Sequence, residues 1–273
     1  ALTPLRIGTR GSALALAQAR WVADRLGVET EIVTLTTSGD RGEGPSDKSR
    51  WVDTIERALL GGEVHLAVHS AKDVPGELAP GTAIVAVPER EDPADRLIGD
   101  VGAPGARVGT ASLRRRAQLL AWREDLDVVE LRGNVETRLR KWRDGQVDGL
   151  VLAAAGLARL GLDEPGVALE APVFVPAPGQ GALLLQALAG DTRAAAINDE
   201  RAFACLAAER DAVRVLEADC HTPVGIHADG RTVRGFVGRP DGSAWVLDEV
   251  DGLDGVGLGQ RMLAAGAREL LAA

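Results

Sequence analysis

Leu5-Arg6-Ile7-Gly8-Thr9-Arg10-Gly11-Ser12 runs straight into Ala13 to Leu26, and this stretch decides the fold class. Leu5 to Thr9 reads as a short strand. Ser12 is a residue type that caps helices, and Leu14, Ala17, Trp21 and Val22 then recur on one helical side. A strand that hands over to a helix within a few residues is the building unit of α/β proteins. The unit recurs. Glu31 to Thr36 is a β-branched strand, followed by a polar, Gly-containing segment, Thr37 to Ser49, expected to be a mobile loop. A helix is expected from about Trp51 to Leu60, strands over Val64 to His69 and Thr82 to Val87, and a forced turn at Asp73-Val74-Pro75-Gly76.

The charged, proline-bearing segment Glu89 to Pro93 marks a crossing, after which strand and helix alternate again. Arg107 to Thr110 precedes a helix opened by Ser112, Asp127 to Leu131 precedes one opened near Asn134, and Gly149 to Ala153 leads into an Ala-rich helix. Pro172, Pro176 and Pro178 interrupt this pattern, and Gly181 to Leu188 is expected to return as a strand to the first lobe. Beyond Asp199 a long amphipathic helix runs to about Glu217. Strands separated by the turn pairs Asp229-Gly230 and Asp241-Gly242 follow, then a final helix. Domain 1 is therefore expected over 1–91 and 180–198, domain 2 over 92–179, and a small α+β domain 3 over 199–273.

Four times an arginine or lysine stands where an apolar strand gives way to a helix or tight turn: Arg10, Lys72, Arg114 with Arg115, and Arg132 with Arg138. A helix start already carries about half a positive charge, so a cation there is unfavourable unless an anion joins it. In open α/β sheets ligands gather outside the carboxyl ends of strands, where these cations lie. The repetition predicts a site for a ligand with several negative groups. Arginine suits carboxylates because its fork donates two parallel hydrogen bonds. A nucleotide reading lacks its Gly-rich cradle, since neither GxxxxGK[ST] nor GxGxxG after a strand occurs.

The 273 residues hold 31 basic and 40 acidic side chains, a formal net charge of −9, which disfavours a general nucleic-acid binder. No apolar run approaches the ~20 residues that cross a bilayer. With no basic N-terminal segment leading into a hydrophobic core, the expected location is cytoplasmic, without membrane contact. A disulfide between Cys205 and Cys220 is not expected in that setting. The scattered His65, His69, His221 and His227 match no metal-ligand spacing, so no metal is expected. Cys205 sits on an apolar helical face and reads as buried, whereas Cys220 lies in the irregular polar stretch Ala218-Asp219-Cys220-His221-Thr222-Pro223. Asp73 follows Lys72 directly. Its position leaves two roles open: a turn-forming aspartate, or an anion among cations able to stabilise a developing positive charge.

Seven segments in order resemble the porphobilinogen deaminase (hydroxymethylbilane synthase) family. They are Arg6 to Ser12, Ala67-Val68-His69-Ser70-Ala71-Lys72-Asp73-Val74-Pro75, Glu89-Arg90-Glu91-Asp92-Pro93, Val108 to Arg115, Leu131-Arg132-Gly133-Asn134 with Thr137-Arg138, Ala155 to Gly161, and Pro178-Gly179-Gln180-Gly181-Ala182. The resemblance spans essentially the whole chain. It implies two periplasmic-binding-protein-like α/β lobes plus a small C-terminal α+β domain. It implies a transferase that condenses four porphobilinogen units head-to-tail into linear hydroxymethylbilane, releasing ammonia, in tetrapyrrole (haem) biosynthesis.

The partners it implies are porphobilinogen and the growing oligopyrrole chain, without nucleic acid, and the protein would be a monomer. A dipyrromethane cofactor would be joined by a thioether to Cys220. By the same resemblance Lys72, Asp73, Thr110, Ser112, Arg114, Arg115 and Arg138 would hold that cofactor, while Arg10, Ser12, Arg132, Arg159 and Gln180 would hold incoming rings. Asp73 would be the catalytic group. The chain departs from the family in two places. Ser46-Asp47-Lys48-Ser49-Arg50-Trp51 stands for a usual Gly-Gly-Lys-Gly-Leu-Phe, and Ala218-Asp219 adds a carboxylate before the cysteine. The rival reading from the residues alone is a two-lobed small-anion binding protein without catalysis.

Overall fold

A computed structural model describes residues 3–43, 48–219 and 222–272. It divides into two compact units, Ala1–Glu91 with Ala182–Ala204, and Asp92–Gly181 with Cys205–Ala273. The first unit is built on strands β1 (Leu5–Thr9), β2 (Thr30–Thr34), β3 (Leu66–Ser70) and β4 (Thr82–Ala86). The second continues with β5 (Asp95–Gly99), β6 (Arg107–Gly109), β7 (Asp127–Val129), β8 (Gly149–Ala153) and β9 (Gly166–Ala168). Strand β10 (Leu183–Leu188) then returns to the first sheet.

The two sheets share one plan: β2-β1-β3-β10-β4 in the first unit and β7-β6-β8-β5-β9 in the second. In each, three parallel strands are followed by one antiparallel strand. That odd strand comes from a crossing segment: β10 pairs antiparallel with β3 and β4, and β5 with β8 and β9. This mixed α/β architecture is the expected fold class.

Each sheet is buried on both faces, which is why its strands read as nearly continuous apolar runs. In the first unit Leu5, Ile7, Leu66, Val68 and Leu185 pack on Ala19 and Val22 of helix α1 (Ala13–Leu26). After the short helix α2 (Ser38–Arg41), helix α3 (Asp53–Leu60) covers the other face with Ile55 and Leu59. In the second unit Leu119 of α4 (Leu113–Trp122) packs on Val108, Val128 and Val151. Leu139 of α5 (Val135–Arg143) and Leu157 of α6 (Ala154–Arg159) pack on Ile98, Leu150 and Leu152.

The C-terminal part of the second unit is an antiparallel sheet of β11 (Val224–Ala228), β12 (Thr232–Gly238) and β13 (Trp245–Asp251). Ile226, Val233 and Val237 pack on Cys205, Ala208 and Ala212 of α7 (Glu200–Leu216) and on Leu258 and Met262 of α8 (Gly255–Ala264). Helix α9 (Ala267–Leu271) closes the layer. Cys205 is buried there as expected. Phe236 joins this sheet to Ala117 of α4 and to Val175. At Gly225 a Cβ would stand 2.4 Å from the Val175 carbonyl oxygen, so the backbones approach as only glycine allows.

Three local readings are corrected. The stretch expected to be a loop from Thr37 contains α2, held by a capping box in which Thr37 and Asp40 satisfy each other's backbone N–H groups. The same stretch ends in a 3-10 turn, Lys48–Trp51, after which the helix expected from about Trp51 to Leu60 follows as α3, Asp53–Leu60. Strands β5 and β9 escaped the sequence reading because one opens on the charged pair Asp95-Arg96 and the other is only three residues long. Residues Ser46 and Asp47 of the altered loop lie outside the described residues.

Candidate active site

In the first unit the carboxyl ends of β1 and β3 and the start of α1 enclose a pocket lined by Arg10, Ser12, Leu14, Ala15, Gln18, Trp51, Val52, Val68, His69, Ser70 and Asp73. The sequence places these groups through local signals. Ser12 caps α1 by accepting from Ala15 N–H at 3.2 Å, and β3 ends in a 3-10 turn, Ala71–Asp73, that sets Asp73 at the strand end. Buried Gln18 binds the Ser70 hydroxyl at 3.0 Å. Lys72, in the same turn, is half-buried.

Arg10 is not a bare cation. Its Nη2 and Nε donate to Asp40 Oδ1 at 2.5 and 3.0 Å, and its guanidinium lies 4.3 Å from the centre of the Trp51 ring. Burial by itself raises the Asp40 pKa, but hydrogen bonds from Arg10 and from the Thr37 backbone outweigh it and hold the carboxyl below its usual range. Gly39 lets the Trp51 ring lie flush on α2, since a Cβ there would meet the ring at 2.4 Å. Asp73 differs from Asp40: among the described residues no group donates a hydrogen bond to its carboxylate. The pocket thus combines a pinned arginine with an uncommitted carboxylate.

In the second unit the centre is Asp95, 4 % exposed, at the start of β5. Its Oδ2 accepts from Arg114 Nη1 at 2.7 Å, and its Oδ1 from Arg115 Nη2 at 2.9 Å and Gln180 Nε2 at 2.8 Å. Arg114 also donates to Gln118 Oε1 and the Val175 carbonyl, and Arg115 to the Val151 carbonyl. Burial alone would raise the Asp95 pKa, yet the charges of Arg114 and Arg115 drive it far below the usual carboxylate range. Burial correspondingly pulls the Arg114 pKa down against the pull of Asp95. The anion that joins these helix-start cations is first the protein's own.

The neighbouring groups are positioned by backbone capping. Ser112 caps α4 by accepting from Arg115 N–H at 3.2 Å, and buried Thr110 accepts from Ser112 N–H at 3.1 Å. Arg159, at the end of α6, donates to the Gly181 carbonyl at 2.8 Å. Glu209, fully buried, accepts from Gly179 N–H at 2.6 Å and Ala228 N–H at 2.9 Å. That carboxylate ties β11 to the turn that aims Gln180 at Asp95.

Arg132 is exposed and bonded to Glu130 at 2.7 Å. Arg138, in the first turns of α5, is the contrasting case. Its Nε is shielded from solvent without a hydrogen-bond partner, and no described carboxylate lies within ion-pair distance. Burial, with the charge of Arg115 added, pushes its pKa down to about 10, so it stays a cation at neutral pH. Cys220, the expected attachment point, lies outside the described residues.

Sequence reading missed Asp40, Asp95, Gln18, His69 and Trp51 as parts of these sites. Asp95 carried a usable signal: an acidic residue at the head of the otherwise apolar Leu97-Ile98 run needs a buried partner. Among the described residues no cluster of three His, Cys, Asp or Glu side chains is arranged for a metal, and no helix is long and apolar enough to cross a membrane.

Arginines stand at the strand ends of each of the two α/β sheets, and in the first unit the Asp73 carboxylate, to which no described residue donates, lines the same pocket as Arg10; these features define a mixed α/β protein with cationic strand ends. The family model described as porphobilinogen deaminase, dipyromethane cofactor binding domain, matches residues 5–196. Porphobilinogen deaminase of Rubrobacter xylanophilus is 46% identical over 284 residues, covering 95% of this chain and 92% of that protein. The Thermus thermophilus protein of the same name is 42% identical, covering 97% of each, and the Stenotrophomonas maltophilia one 44%, covering 98% of each. The chain belongs to the porphobilinogen deaminase family, a family of enzymes.

Proposed function

We propose that this chain is a transferase that condenses four porphobilinogen units head-to-tail into linear hydroxymethylbilane, releasing one ammonia per unit. The observation that carries the chemistry is Asp73: a half-buried carboxylate to which no described residue donates a hydrogen bond, in a pocket with Arg10 and Ser12. Loss of ammonia leaves a cation on the pyrrole unit. A negative group already in place stabilises that charge as it forms and needs no reorganisation to do so. Arg10, Ser12, Arg132, Arg159 and Gln180 hold the acetate and propionate arms of incoming rings. The protein works as a cytoplasmic monomer in three domains, 1–91 with 180–198, 92–179 and 199–273.

The desolvated, unpartnered Arg138 beside Arg115 suits a cofactor carboxylate, so a dipyrromethane fits the residues present. When bound it supplies the free pyrrole α-carbon to which the first unit adds. Lys72, Asp73, Thr110, Ser112, Arg114, Arg115 and Arg138 hold it, with a thioether to Cys220.

Two measurements test this reading. Intact-mass spectrometry of the purified protein is expected to exceed the polypeptide mass by one dipyrromethane. Cys220→Ser is expected to show the bare mass and no product; an unmodified wild type before and after incubation with porphobilinogen would overturn the assignment. Arg138→Gln removes a shielded cation with no counter-ion among the described residues, so the melting temperature of the cofactor-free protein is expected to hold or rise. The variant's adduct-bearing fraction is expected to fall by roughly 10- to 100-fold, the effect of losing one charge-assisted hydrogen bond of about 1.5–3 kcal/mol. Full cofactor loading in that variant would show that Arg138 binds something else.

A further inference from the structure

Hydrogen bonds behind the first-unit pocket fix where His69 carries its proton. Thr82 Oγ1 donates its only proton to the Ala79 carbonyl at 2.7 Å, so towards Gln186 it can only accept. Glu56 Oε1, which also receives Ala79 N–H at 3.0 Å, is likewise an acceptor. Both oxygens lie 2.8 Å from the same end of the Gln186 amide, which is therefore its NH2. The amide carbonyl then faces His69 Nε2 at 2.9 Å, and Nε2 bears the hydrogen. Strand register makes this possible: Leu184 lies opposite His69 and Gln186 opposite Ala67, so His69 and Gln186 are diagonal neighbours on one sheet face.

Burial pushes the imidazole pKa down to about 4 despite the Gln186 bond and nearby Asp73, with Arg10 adding to the fall. At neutral pH the ring holds one proton, on Nε2. Nδ1 is then a lone pair to which no described residue donates, on a ring that lines the pocket of Arg10, Ser12 and Asp73. A lone pair repels carboxylates, which the arginine and serine serve, and the aminomethyl ammonium of porphobilinogen is the natural partner of charged Asp73. The remaining donor on that ligand is its neutral ring N–H.

We propose that His69 is a substrate-contacting residue whose neutral Nδ1 accepts the pyrrole N–H of a ring bound beside Asp73, in a tautomer locked from behind by Gln186, Thr82 and Glu56. This rests on the function proposed above. An uncharged acceptor orients the ring without placing a second anion next to Asp73, whose charge is then reserved for the reacting centre.

The test separates the two ring nitrogens. In His69→Asn the amide oxygen falls near the Nδ1 position, whereas His69→Gln reaches only towards Nε2 and restores the link to Gln186. His69→Asn is expected to keep kcat/KM within a few-fold of wild type, and His69→Gln to lose roughly 10- to 100-fold, the range for one unmade buried hydrogen bond. The adduct mass should be unchanged in both. The reverse ranking, or equal rates, would refute the role of His69 alone, whereas a wild type with neither adduct nor product would refute the proposed function itself. Should either variant fail to fold, nitrogen NMR of the wild-type holoenzyme decides. Nδ1 is expected to be unprotonated and to shift on adding porphobilinogen, and a protonated or unresponsive Nδ1 overturns the proposal.

Discussion

Asp73→Asn is expected to fold and load its cofactor like the wild type, while its rate of product formation falls roughly a thousandfold, at the upper end for loss of a preorganised electrostatic partner. The two halves of this expectation have separate causes. Folding is spared because no described residue relies on the Asp73 carboxylate as an acceptor, and asparagine is nearly isosteric, so the stability change should stay within ~0.5 kcal/mol. Turnover is lost because an amide dipole replaces a full negative charge beside the cation formed when ammonia leaves. Asp73→Glu keeps the charge but moves it by a methylene, and roughly a hundredfold loss is expected, since about 1 Å of misplacement costs that much in a positioned site. Steady-state kinetics on adduct-bearing protein, confirmed by mass, checks both. An Asp73→Asn enzyme within a few-fold of wild type would remove Asp73 from the catalytic role.

Asp95→Asn should have the largest effect on stability. Asp95 faces two buried guanidiniums at 2.7 and 2.9 Å, and the amide leaves both without the counter-charge that the protein itself supplies. Breaking a buried ion network on one side costs about 3–5 kcal/mol. At roughly 2–4 °C per kcal/mol for a unit of this size, the melting temperature should fall by roughly 6–20 °C, measured by calorimetry on the cofactor-loaded enzyme. An unchanged melting temperature would mean that Arg114 and Arg115 find their compensation elsewhere.

Acid unfolding gives a second readout. The folded pKa of Asp95 lies below its unfolded value near 3.9, so its contribution is complete above that value and is lost as pH falls towards the folded pKa. His69 acts in a higher window. Its folded pKa of about 4 lies below the unfolded 6.5, so the unfolded chain binds the extra proton and stability declines as pH falls from about 6.5 to 4. Asp95→Asn should therefore flatten the stability profile below pH 4 and leave the upper slope unchanged.

The local grammar of the chain carried much of the fold. Gly149–Ala153 is a strand over the residues expected, and Ser12, Ser112 and Asn134 cap the helices they were expected to open. Those signals depend on residues three or four apart, within reach of a single turn or strand. Strands that begin on charge or span three residues lack such a signal and became visible only through their pairing. The same limit applied to chemistry. Arg10, Lys72, Arg114, Arg115 and Arg132 stand at strand ends as the sequence placed them.

Whether each is available was settled across the chain. Asp40 is 30 residues from Arg10, and Asp95 is 19 from Arg114 and 20 from Arg115. The sequence by itself determined the α/β alternation, the helix caps and the placing of cations at strand ends, because these follow from backbone period and capping. Only the tertiary structure decided which of those cations the protein neutralises itself, that no described residue pairs with Arg138 or donates to Asp73, and which nitrogen of His69 bears its proton. The reason is physical: ion pairing, desolvation and tautomer choice are set by distance through space, which chain separation does not encode.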